Sequence, residues 1–234
     1  MISKLKKFYI LYISFFLIFL KWFFSFYFFK EQIDVKIIFE SVTDGKYYYP
    51  LIKYLSDLNF TAAFDPNIKN LDIIPIPISS LLLHAIFLKL LNFYSFIFLE
   101  FVCLTIFILL IYRINRFVFS KKISLLYSIL ILISPTLINF SFLNEIQFLK
   151  IYGDNFYNFR VPRPMISNLY LISFIYLILK MHIKKIYTLK NFIFVGIIMG
   201  LSLSSFYYYF FLESITLILV LLLNYKLSLI KNII

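Results

Sequence analysis

Seven of the eleven acidic residues, Glu31, Asp34, Glu40, Asp44, Asp57, Asp65 and Asp72, fall between positions 31 and 72. A positioned carboxylate can serve as a general base. A chain that gathers its carboxylates in one polar stretch between apolar runs is equipped to present them at a membrane surface. Asp44 precedes Gly45, a turn-forming pair, just ahead of a helical pattern. Aspartate is a favoured N-cap. An N-cap and a catalytic carboxylate are compatible roles here, because a capping position fixes the side chain in space. The second set of candidates is Arg160 and Arg163, beside Pro162 and Pro164. Guanidinium groups bind phosphate bidentately. The same arginines could instead meet lipid head groups or pair with Asp154 or Glu145. Lys89 is a further cation, and a snorkelling stem accounts for it equally well.

The elements that must position these residues are membrane-spanning helices. The chain has 234 residues, of which 62% are hydrophobic, and its mean hydropathy is +0.92. Soluble domains sit nearer one half apolar. Several runs approach or exceed the roughly 20 apolar residues that cross a bilayer. They are continuous, unlike the short alternating segments of a β-barrel. The expected fold is therefore all-α and polytopic. The net charge of +12 does not point to nucleic acid, because the basic residues cluster at the ends of apolar runs. The single cysteine, Cys103, excludes an internal disulfide and a cysteine-rich metal site. Two histidines, His84 and His182, argue against zinc.

Spans are predicted at about 8–29, 95–112, 123–143, 164–181, 191–209 and 211–225. The first follows Lys4, Lys6 and Lys7 and reads as a retained anchor, being too long for a signal h-region and lacking a small-residue cleavage site. The connecting segments then alternate in charge. Arg113, Arg116, Lys121 and Lys122 follow the second span, Lys180, Lys184, Lys185 and Lys190 the fourth, and Lys226 and Lys231 the sixth. The intervening segments hold most of the acids, with Glu145 and Asp154 in the 144–163 loop and Glu213 after the fifth span. The positive-inside rule places the N-terminus in the cytoplasm and the acidic loops outside. This requires that Ser79–Asn92, apolar but only about fourteen residues long, does not cross.

The first external loop, 30–94, is thus expected to carry two surface helices. One spans about 47–58, with Tyr48, Leu51, Ile52 and Leu55 at helical spacing. The other spans about 79–92 and is opened by Ser79 and Ser80 as N-cap candidates after Pro75 and Pro77. The whole chain reads as a single transmembrane domain. Its abrupt end after the last span suggests the N-terminal part of a longer protein. Glu100 and Lys21 lie within spans, where ionisable groups are costly and default to functional hypotheses. For Glu100 access to water at the outer interface is an equal reading. His84 reads as a packed or interfacial side chain rather than a ligand. Gly196 and Gly200 form a GxxxG pattern that predicts close helix packing, and Ser134-Pro135 predicts a kink.

The order of these features resembles a family. An early external Asp is followed by the Pro-opened helix Ile74-Pro75-Ile76-Pro77-Ile78-Ser79-Ser80. Next come a span ending in Tyr112-Arg113-Ile114-Asn115-Arg116-Phe117, a span containing Ser134-Pro135, and the Val195–Leu203 hairpin segment. Taken together, over residues 8–225, they are similar to the polytopic GT-C glycosyltransferases, the group of protein O-mannosyltransferases and lipid A aminoarabinose transferases. The resemblance implies a sugar donor carried on a polyprenyl phosphate and a lipid, glycan or protein acceptor at the external face of a bacterial inner membrane. It assigns the general-base or metal-positioning role to Asp44, with Glu40 as the neighbouring alternative, and leaves a divalent cation open as cofactor. Arg160, Arg163, Lys89 and Asp154 are the substrate-binding candidates beside it. The chain departs from the family where many relatives place an Asp directly before a Pro, since Arg163 precedes Pro164 here. Two rivals stand beside this reading: a transporter or flippase of a polar lipid or solute, and a non-catalytic membrane scaffold.

Overall fold

The computed structural model describes residues 2–28, 45–60, 78–92, 94–140 and 165–231. Every regular element among them is an α-helix. In chain order these are α1 (Ile2–Phe28), α2 (Gly45–Ser56), α3 (Ile78–Leu91), α4 (Tyr94–Asn115), α5 (Lys121–Phe140), α6 (Met165–Lys184), α7 (Leu189–Ser205) and α8 (Tyr207–Lys231). Two of them, α4 and α6, are long and apolar enough to cross a membrane. The other apolar stretches, Phe8–Leu20, Ile78–Leu91, Leu189–Ser205 and Tyr207–Leu223, are shorter. Among the described residues, two of the six spans expected from the sequence thus meet the length and composition of a membrane crossing.

Helix α4 is the hub, packing against α1, α3, α5 and α6. Its apolar periodicity explains why: Phe96, Leu99, Cys103, Leu104, Phe107, Ile108 and Ile111 recur at three- and four-residue spacing and are all buried. A second layer is formed by α6, α7 and α8, which pack on one another around Phe174, Ile178, Met181 and Val195. The outward faces are apolar as well. Phe15, Phe16 and Phe19 on α1 and Ile215, Ile218, Leu219 and Leu222 on α8 are all more than half exposed within the chain. An apolar surface of that extent is covered by lipid or by a partner.

Helix ends are set by local chemistry. Leu58 closes α2 in the left-handed region (φ 61), and the Asn59 amide reaches back to the Tyr54 carbonyl at 2.9 Å. Lys185 closes α6 in the same way (φ 52), with Ile186 N–H bonded to Met181 O at 3.1 Å. This is the Schellman pattern with non-glycine residues in the position usually given to glycine. Asn92 ends α3 (φ 52), donating to Leu88 O at 2.9 Å. Thr188 caps α7, accepting from the Asn191 amide.

Two boundaries differ from expectation. The break between the last two helices falls at Phe206, which is extended (φ −149, ψ 92) and donates to Ser202 O at 2.7 Å. Tyr207–Tyr209 therefore begin α8 instead of ending α7. No glycine or proline marks this turn, so nothing in the sequence placed it. The second difference is at Ser79 and Ser80, which lie in the first turn of α3 and bond across to α7. They tie helices together and are not N-caps. The Gly196–Gly200 face is also unlike the prediction: a Cβ at either glycine would meet nothing within 4 Å, so these positions pack no helix among the described residues.

Packing at the hub predicts an asymmetry of mutational cost. Leu104→Ala, at a fully buried α4 position, is expected to lower stability in detergent by about 2–4 kcal/mol through the cavity it leaves. Leu222→Ala, on the exposed face of α8, is expected to fall within about 0.5 kcal/mol of wild type. Chemical unfolding of both variants measures the difference.

Candidate functional site: an α2–α3 groove above a buried polar seam

Helix α2 follows Asp44 directly in sequence and packs on α3. Its apolar residues Leu51, Ile52 and Leu55, legible from their spacing, are buried in the core with Leu81, Ala85 and Leu88 of α3. The polar residues of both C-terminal turns are left to line a groove of about 220 Å³. Its walls are Tyr49, Lys53, Ser56 and Asp57 from α2 and Leu88, Lys89 and Asn92 from α3. Lys53 and Asp57, one turn apart, form an exposed ion pair at 3.2 Å, which contributes little to stability. Lys89 is exposed and faces the same groove. Both lysines lie in the last turn of their helices, where a cation also suits the negative end of the helix dipole. The groove thus presents two ammonium groups, a hydroxyl, a phenol and an amide around one carboxylate, a set able to hold an anionic or zwitterionic head group.

Beneath the groove runs a buried polar seam. Ser79 Oγ donates to Leu201 O at 3.0 Å, with Tyr170 of α6 beside it. The Ser80 and Ser205 hydroxyls are hydrogen-bonded to each other. On α3, the His84 Nδ1 lies 2.9 Å from Ser80 O. A carbonyl only accepts, so Nδ1 carries the proton. The ring is fully buried and stacks on Phe96 with centroids 5.7 Å apart. Burial pushes its pKa down to about 4, against the opposing pull of the Ser80 carbonyl, so the imidazole is neutral and Nε2 is a lone-pair acceptor. Further along, Ser202 Oγ donates to Glu213 Oε1 at 2.8 Å, and Tyr209 donates to Asn168 Oδ1 at 2.8 Å. Glu100, fully buried on α4, accepts from Trp22 Nε1 of α1 at 2.9 Å. Glu100 is therefore turned inward, and the reading that it reaches water at the outer interface does not hold.

Of the residues singled out from the sequence, Lys89 lines the groove. Asp44, Glu40, Asp154, Arg160 and Arg163 lie outside the described residues. No group of three or more His, Cys, Asp or Glu able to hold a metal ion occurs among the described residues. Sequence reasoning missed Lys53 as a groove residue and the Ser202–Glu213 pair. The available signal for Glu213 was its isolation as the first charge of an otherwise apolar helix.

The opposite end of the bundle is basic. Arg113 of α4 and Lys180 of α6 both sit 5.9 Å from the ring of Tyr176, and Phe117 stacks on the same ring. Helices α4 and α6 therefore run parallel, each starting at the seam and ending in cations. No family model, no curated protein and no solved structure matches the chain.

The Trp22–Glu100 bond is open to a direct check. Trp22→Phe removes the donor and is expected to cost about 1–3 kcal/mol by leaving a buried carboxylate oxygen less satisfied. A double-mutant cycle with Glu100→Gln should return a coupling of about 1 kcal/mol or more, and additivity would deny that the two groups interact.

Proposed function

We propose that the chain is a six-span membrane glycosyltransferase that moves a sugar from a polyprenyl-phosphate donor to an acceptor on the non-cytoplasmic face of a bacterial inner membrane. The observation that carries the reading is the separation of two polar ends. The end formed by Arg113, Arg116 and Lys180 is cationic. By the positive-inside rule it faces the cytoplasm. The α2–α3 groove and the seam then lie at the outer end, where the acidic first loop belongs. Helix α3, about 21 Å long at 1.5 Å per residue, is short of the roughly 30 Å hydrocarbon thickness. That length is compatible with a helix that stays on one side.

In this reading Lys89 and Lys53 hold the donor's phosphate as it leaves as an anion, a role for fixed cations. Asp44, one residue before α2, takes the acceptor's proton as general base, with Glu40 as the alternative. Arg160 and Arg163 complete the anion site, with Asp154 beside them. The order of motifs along the chain, similar to GT-C enzymes, supports the assignment of reaction type.

Membranes containing the chain, supplied with radiolabelled polyprenyl-phosphate sugars, test it. Asp44→Asn is expected to abolish transfer with membrane insertion unchanged. Lys89→Ala is expected to raise the donor KM roughly tenfold, the loss of one charge-assisted contact. Undiminished transfer by Asp44→Asn removes that residue from the mechanism, and no transfer by wild type from any donor removes the reaction.

A further inference from the structure

We infer that Glu213 and Ser202 form a binding site for one small monovalent cation inside the helix bundle. The inference is independent of glycosyl transfer. Glu213 has no solvent exposure, although it lies only two turns into α8. One carboxylate oxygen, Oε1, accepts from Ser202 Oγ at 2.8 Å. The other, Oε2, is buried and has no hydrogen-bond partner among the described residues. A hydroxyl dipole alone does not compensate a buried negative charge, since such a charge is retained only when it is paired or neutralised.

Among the described residues, the neighbouring helices supply no counter-charge. Helix α8 packs on α6 and α7. From Met165 to Leu179, α6 contains no Lys, Arg, His, Asp or Glu; its titratable residues there are Tyr170 and Tyr176. From Asn191 to Ser205, α7 contains no titratable residue at all. On α8 itself Tyr207, Tyr208 and Tyr209 precede Glu213, and the next charge is Lys226. Among the described residues the site therefore offers a buried carboxylate oxygen that accepts no hydrogen bond, a neighbouring hydroxyl oxygen, and no paired cation. Serine at 202 can turn its hydroxyl from donor to acceptor, so the same pair serves a carboxylate alone or a carboxylate with a bound ion. Sodium and the proton share the required chemistry, a single positive charge small enough for a helix interface. A divalent ion would leave the site with a net positive charge.

The test compares the full-length wild type with Glu213→Gln, which keeps the shape and removes the charge. Melting temperature is measured in detergent in sodium chloride against choline chloride at equal ionic strength, and across pH at fixed salt. A ligand that binds only the folded state raises the melting temperature. Wild type is expected to be stabilised by sodium or by lower pH beyond the response of Glu213→Gln. In parallel, a hydrophobic carbodiimide is expected to modify Glu213, read by mass spectrometry of the peptide that contains it. If sodium is the occupant, sodium but not choline blocks the modification. If the occupant is the proton, the modification is lost as pH rises and is indifferent to sodium. Identical sodium and pH responses in wild type and Glu213→Gln overturn the inference. So does modification of Glu213 that neither cation affects.

Discussion

Polar atoms removed from water must find partners within the protein, and in this chain that requirement joins the two halves of the bundle. Ser79 and Ser80 reach Leu201 and Ser205 across separations of 122 and 125 residues. Apolar faces could slide against one another at modest cost, particularly where the surroundings are as apolar as the side chains. Hydroxyl contacts cannot, since each has a fixed length and a fixed partner. The α3–α7 seam therefore sets the register of everything above it. It seats α3 against the start of α4, and α3 in turn carries α2 and the groove.

The buried acids follow the same requirement with different outcomes. Glu100 finds an indole donor on α1, in a contact 78 residues distant in sequence. Glu213 finds a hydroxyl for one oxygen only. Both lie toward the seam end of their helices, away from Arg113 and Lys180. Buried carboxylates and titrating side chains are thus unevenly placed along the bundle: Arg113 and Lys180 stand at one end, and Glu100 and Glu213 toward the other, where Lys53 and Lys89 line the groove. Such a molecule has a defined orientation in any membrane whose two faces differ.

What could be read from the sequence was set by periodicity. Leu51, Ile52 and Leu55 recur at helical spacing, and α2 buries that face; the apolar stretch after Pro77 forms α3 within a residue of its expected limits. The turn at Phe206 was not legible, because it uses an extended aromatic residue where a turn signal would be glycine, proline or asparagine. Ser79 and Ser80 were misread as caps because local sequence shows where a serine lies along a helix, and not which distant carbonyl faces it. The Gly196–Gly200 pattern is permissive of close packing, but permission does not supply the second helix. Lys89 was legible as a cation near an interface. Its convergence with Lys53 depends on how α2 docks, which no one-dimensional pattern encodes.

The proposed orientation requires α3 to stay on one side, so that the groove and the α4–α5 turn face opposite compartments. Single cysteines at Leu58 and Val118, both largely exposed, in a Cys103→Ser background, report this with a membrane-impermeant thiol reagent applied to intact cells. The account predicts that position 58 is labelled from outside and position 118 only after the membrane is opened. Labelling of position 118 in intact cells, with position 58 protected, would contradict it.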